Sequence, residues 1–162
     1  LNRPAGAILL PQVIPLGVRP LQAADGPALR QACFPGASAG EIDQAVAASL
    51  ARTRAGRGVY LVVEWGGEIV GSGQLVPWGQ DAEIADLVVA PAFRRRGVGQ
   101  ALLIALLDAA RSRGCRTVEI GADCDNEAAL SLYRQLGFVD RQTVRLQIEG
   151  VERTLVYLAR IP

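Results

Sequence analysis

A chain of 162 residues with a formal charge of +1 suits one domain and lacks the broad basic face that nucleic-acid binding needs. All 17 basic residues are arginine, and Lys, His and Met are absent. A Ser-His-Asp or Cys-His nucleophilic machine, a lysine-ended phosphate loop and Schiff-base chemistry are therefore excluded, and the commonest zinc ligand is missing. Acid–base work falls to Asp, Glu, Tyr, Cys or a chain terminus. The three cysteines, Cys33, Cys115 and Cys124, are odd in number and lack metal-ligand spacing, so they read as buried thiols in a reducing, cytoplasmic compartment with no metal site.

Residues 1–17 carry three prolines and a short apolar patch, with neither the charged start of a signal peptide nor the length of a membrane span. They read as an arm, and the absent initiator Met points to a processed or trimmed chain. A first strand is expected over 18–21, and Asp25-Gly26-Pro27 reads as the start of a helix over 28–34. Ser38-x-x-Glu41 is a capping box ahead of Ile42, Val46 and Leu50, whose spacing gives a second helix one apolar face. Arg52, Arg54 and Arg57 surround its end and read as solvated caps. Residues 58–65 and 68–76 form a hairpin about Gly66-Gly67, and Gly71-x-Gly73 inside the second strand marks a bulge or close backbone packing, since no helix follows it.

The central stretch comes next. A strand over 83–90 closes on Pro91, and Arg94-Arg95-Arg96-Gly97-Val98-Gly99 opens a long apolar helix that runs to about Arg113. Helix N-termini leave backbone N–H groups unpaired and favour negative charge, so this turn is suited to phosphate oxygens, with glycines allowing close approach and three arginines adding charge. A strand over 117–122, a helix capped by Asn126 and ended by Gly137, and two strands over 138–148 and 151–161 complete the chain. Hairpins mixed with helical crossovers imply a mixed α/β sheet of the α+β type, mostly antiparallel and covered by helices, not a doubly wound parallel one.

Two motifs give the chain a resemblance to the GNAT superfamily of N-acetyltransferases, over about Val18 to the C-terminus. Arg94-x-x-Gly97-x-Gly99 has the superfamily's Arg/Gln-x-x-Gly-x-Gly/Ala form after a Leu-Val-Val-x-Pro strand end. Asn126-Glu-Ala-Ala-Leu-Ser-Leu-Tyr133-Arg-Gln-Leu-Gly137-Phe138 resembles its Asn…Ala…Leu-Tyr…Gly-Phe motif. The dinucleotide fingerprint fails, because no third small residue stands where it is needed.

The resemblance implies a single domain over 18–162 that takes acetyl-CoA as co-substrate and a primary amine, of a small molecule, peptide or protein, as acceptor. The cofactor would lie in a cleft between two splayed strands. Its pyrophosphate would meet Arg94, Arg95, Arg96, Gly97, Val98, Gly99 and Gln100, its pantetheine arm would pair with Leu87, Val88 and Val89, and Asn126 would cap its helix and touch the cofactor. Glu83 stands where some members carry the general base, with Asp86 as the alternative; strand alternation puts the two on opposite faces unless a bulge intervenes. Tyr133 would act as general acid toward the CoA thiolate and also contact the cofactor. A non-catalytic acyl-CoA-binding regulatory domain is the alternative function. No nucleic-acid or membrane partner is expected, a homodimer is compatible with these elements, and no cluster of acids or aromatics identifies the acceptor.

Overall fold

The first strand, β1 (Leu16–Pro20), starts two residues earlier than expected in the computed structural model, which describes residues 15–162; the expected arm, up to residue 14, lies outside the described residues. A 3-10 turn (Ala23–Asp25) leads into α1 (Gly26–Cys33), where Pro27 sits in the first turn and its missing N–H costs no helical bond. Arg19 ties this corner together. Its guanidinium donates to Asp25 and Glu64, each at 2.7 Å, and holds the buried Asp25 carboxyl below the usual carboxylate range. The Ser38 capping box opens α2 (Ala39–Arg54): Ser38 Oγ accepts from the Glu41 N–H at 3.2 Å, and the Glu41 carboxylate accepts from the Ser38 N–H at 2.7 Å.

Three antiparallel strands follow, β2 (Val59–Trp65), β3 (Glu68–Trp78) and β4 (Asp81–Val89). Then come a 3-10 turn (Pro91–Phe93), α3 (Val98–Ser112), β5 (Val118–Asp123), α4 (Glu127–Gln135) and the closing hairpin of β6 (Val139–Ile148) and β7 (Val151–Arg160). The seven strands make one mixed sheet in the order β1-β2-β3-β4-β5-β7-β6, and only β4 and β5 run parallel. A helical crossover through α3 is what a parallel neighbour requires.

Both sheet faces are covered over the first strands, so β2 reads as a continuous apolar run with its alternate residues serving different cores. Leu61 and Val63 pack with α3 and α4, whereas Tyr60 and Val62 pack with α1 and α2. On α3, Leu102, Leu103 and Leu106 are fully buried, and their transfer from water contributes on the order of 5 kcal/mol or more in gross terms. Gly71 and Gly73 allow this helix to lie close against β3. A Cβ on Gly73 would come within 3.3 Å of Leu102, Leu106 and Leu87, and one on Gly71 within 3.0 Å of Val98.

Two features of β4 position the site. Its pairing with β5 ends at Ile84 opposite Ile120, although β4 continues to Val89 and β5 to Asp123, so the strands part and leave a gap. Its pairing with β3 slips between Ala85, opposite Gln74, and Val88, opposite Ser72, so two residues of β4 face one of β3. This is a β-bulge, and Asp86 within it takes a left-handed φ of 52°.

Candidate functional site

The gap between β4 and β5 opens into a cleft of about 640 Å³ on the α3 and α4 side of the sheet. Its floor is Leu87, Val88 and Val89, and its walls are the loop before α3 and the face of α4 that carries Asn126 and Tyr133. Arg95 and Gly97 both hold left-handed backbone, at φ of 62° and 83°, which folds the loop into a concave turn ahead of the helix. For an arginine this conformation costs about 1 kcal/mol, whereas Gly97 adopts it freely and leaves its Cβ direction open. The backbone N–H groups of Arg95, Arg96, Gly97, Val98, Gly99 and Gln100 make no hydrogen bond to the described residues, and no side chain caps the helix. Six consecutive donors at the positive end of a helix dipole can receive several anionic oxygens at once.

The three arginines divide their work. Arg94 donates through Nε to the Val89 carbonyl at 3.2 Å, and Arg94 and Arg95 line the cleft. Arg96 does not line it; its guanidinium lies 5.7 Å from the centroid of Phe93, which packs in turn on Trp65. The Val98 side chain is also withdrawn, 1% exposed in the core under the sheet. Among the expected contacts, the Arg96 and Val98 side chains thus do not line the cleft.

Asn126 caps α4, its Oδ1 accepting from the Ala129 N–H at 3.1 Å, and lines the cleft opposite Gly97 and Gly99. Tyr133, about two turns further along the same face, is 4% exposed and stacks at a tilt on Phe138 with centroids 6.1 Å apart. Its hydroxyl makes no hydrogen bond to the described residues, and burial pushes its pKa up to about 12. The cleft therefore contains a protonated phenol with its donor free.

Glu83 lies across the sheet, on the α1 and α2 side, where it is half-buried beside Glu119, its register partner on β5. Burial raises its pKa, and the charges of Glu119 and Asp86 add to the rise. The expectation that Glu83 and Asp86 point to opposite faces is corrected by the bulge. With the extra residue in β4, the Asp86 carboxylate meets Gln74, which stands across from Ala85 on the face of Glu83. Alternation alone could not reveal this, because nothing in the order of residue types marks which strand carries the additional residue.

Arg52 is a second correction. It is half-buried, not a solvated cap, and its Nη2 donates to Ser49 Oγ at 3.1 Å and to Gln74 Oε1 at 3.0 Å; Arg54 and Arg57 are exposed as expected. Of the cysteines, Cys33 is buried, but Cys115 is half-buried and Cys124 exposed. The Cys124 thiol is raised, chiefly by its hydrogen bond with Asp125, which opposes a role as nucleophile.

Comparison with known proteins adds the family. The acetyltransferase (GNAT) family model matches residues 27–138, from the first turn of α1 to just past α4. An uncharacterized N-acetyltransferase of Methanocaldococcus jannaschii is 38% identical over 72 residues, which are 44% of this chain and 32% of that protein. The mycothiol acetyltransferase of Renibacterium salmoninarum is 39% identical over 56 residues, 35% of this chain and 17% of that protein. The chain therefore matches about a third or less of the length of these relatives. An N-acetyltransferase from Staphylococcus aureus superposes with a TM-score of 0.78 at 18% identity, covering 91% of this chain and 98% of that one. A putative acetyltransferase from Salmonella typhimurium, solved with its cofactor acetyl-CoA, gives 0.75 at 24% identity over 90% and 93%. A ribosomal-protein-alanine N-acetyltransferase from Brucella melitensis gives 0.76 at 25% identity over 90% and 99%. Because the family model spans well over half of the chain and takes in the loop before α3, Asn126 and Tyr133, this protein belongs to the GNAT acetyltransferase family.

Proposed function

We propose that the protein is an N-acetyltransferase that moves an acetyl group from acetyl-CoA to a primary amine by direct attack. The observation that carries the reading is the row of six N–H groups from Arg95 to Gln100, without partners among the described residues, beside a cleft lined by Arg95, Gly97, Gly99, Gln100 and Tyr133. The row would hold the pyrophosphate, with Arg94 and Arg95 adding charge. The edge of β4 beyond Ile84, left unpaired by β5, would take the pantetheine amides as an added strand.

The amine nitrogen forms its bond to the thioester carbon as the C–S bond breaks, the amine loses a proton, and the sulfur leaves as thiolate. Glu83, with its raised pKa and Asp86 nearby, takes the amine proton through an intervening water. Tyr133 supports the departing sulfur. A phenol near 12 facing a thiol whose ordinary value is about 8.5 gains nothing by surrendering its proton outright, so Tyr133 acts mainly as a hydrogen-bond donor to the developing thiolate. Three free cysteines suit a reducing, cytoplasmic setting.

CoA release measured against pH for Glu83→Gln tests the assignment. The variant should lose rate most at low pH, where the amine is mostly charged, and recover in part as pH rises. A wild-type profile for both Glu83→Gln and Asp86→Asn would overturn the carboxylate base. Acetyl-CoA binding without CoA release from any amine would leave an acyl-CoA-binding domain.

A further inference from the structure

A second cavity, of about 490 Å³, lies on the other face of β4, beneath α1 and α2. Asp86 of the bulge lines it, and the next residue, Leu87, lines the cleft on the opposite face. Its inner wall is apolar, built from Leu21, Leu29, Phe34, Ile42 and Val46, of a size and character to take an aliphatic or aromatic side chain. Its polar edge is organised. Arg52 Nη2 donates to Gln74 Oε1 at 3.0 Å, and Gln74 Nε2 donates to Asp86 Oδ2 at 2.5 Å, so one carboxamide holds a cation and an anion apart at fixed spacing.

Arg52 has unused capacity. Two of its five N–H donors are spent on Ser49 and Gln74, which leaves the Nε and Nη1 donors free among the described residues. No carboxylate forms an ion pair with it among those residues, in contrast to Arg19, Arg111, Arg134 and Arg153. The other acid lining the cavity, Glu41, is committed to its capping box with Ser38. A half-buried planar cation with free donors, facing a cavity, is suited to a bidentate carboxylate.

Resting on the acetyltransferase reading above, we infer that the acceptor is a free α-amino acid with an apolar side chain, its amine beside Asp86 at the bulge and its carboxylate on Arg52. The separation supports this. From Asp86 to Arg52 the protein spans one carboxamide and two hydrogen bonds, and an α-ammonium and α-carboxylate with their two hydrogen bonds span a comparable length. A peptide N-terminus offers the amine but carries a neutral amide where the carboxylate would be, and so leaves the Arg52 donors unmatched. A simple alkylamine fills the apolar wall and leaves them equally empty. Arg52 is thus a specificity residue and Asp86 the group that orients the amine toward the gap between β4 and β5.

The test measures initial rates of CoA formation by the full chain at saturating acetyl-CoA with L-leucine, leucinamide and isopentylamine. Leucine should exceed both analogues in kcat/KM by about tenfold or more, since a site built for a charged hydrogen bond rejects a ligand lacking it. Arg52→Gln should raise KM for leucine by a similar factor, leave kcat nearly unchanged, and leave leucinamide within about twofold. Its thermal midpoint and acetyl-CoA affinity should match wild type, and Arg52→Lys should restore only part of the preference. Equal use of leucine and leucinamide, or a loss in Arg52→Gln that is the same for all three, would overturn the inference while acetyl transfer stands. Turnover of no compound overturns it too, and calorimetry then decides whether the acetyl-CoA reading falls with it.

Discussion

Replacing Tyr133 by phenylalanine separates packing from chemistry, because ring and hydroxyl do different work. The ring is 4% exposed and packs on Phe138, and Y133F keeps both properties. The hydroxyl bonds to none of the described residues, so its removal orphans no partner. Stability at neutral pH should therefore change by no more than about 0.5 kcal/mol. At alkaline pH the two proteins should part. Folding raises the phenol from 10.0 to about 12, so the native state retains a proton that the unfolded chain releases. With more protons bound in the native state, stability is complete below pH 10 and declines as pH climbs toward 12. That difference corresponds to roughly 3 kcal/mol. Denaturant unfolding of both proteins across this range should show a decline that is larger in wild type by this amount, since the buried Tyr60, also raised, contributes equally to each. CoA release should fall about a hundredfold in Y133F, with acetyl-CoA affinity retained. Wild-type turnover combined with a loss above about 1 kcal/mol at neutral pH would refute the reasoning, by making the hydroxyl a structural group.

Gly99→Glu should fold, since its Cβ meets only side-chain atoms of Leu132 at 3.3 Å and Val89 at 3.6 Å and a carboxylate suits a helix N-terminus; acetyl-CoA binding measured by calorimetry should be abolished. Arg94→Gln with Arg95→Gln should weaken that binding and flatten its salt dependence without eliminating it, whereas Arg96→Gln, stacked on Phe93, should change the salt slope much less. Asp25→Asn should destabilise the fold by about 2 kcal/mol at pH 7 by thermal unfolding. The lowered Asp25 pKa makes its contribution complete above the ordinary carboxylate range and lost as pH falls through the folded value, so mutant and wild type should converge in acid.

The elements whose signals are local were legible in the sequence. The Ser38–Glu41 box, the Gly97 turn and the Asn126 cap each depend on residues within four positions of one another, and all form as their residue types dictate. What escaped depends on distant partners. The direction of Arg52 is set by Gln74, 22 residues away on another strand, and an arginine in the last turn of a helix has the same local signature whether it faces water or a sheet. Arg96 could not be told from Arg94 and Arg95 until Phe93 was seen to occupy it. Asp86 changed face because β4 carries one more residue than its neighbour, a property of the pair and not of either strand read alone.

The placement of two cavities on opposite faces of β4, lined by the neighbouring residues Asp86 and Leu87, also bears on traffic through the protein. Donor and acceptor would reach the reacting atoms through separate mouths on opposite faces of the sheet, so neither molecule stands in the exit path of the other. On the proposed reading queueing would be unnecessary: free CoA would compete with acetyl-CoA for one mouth and leave the other open, and the acetylated product could depart before or after the thiol.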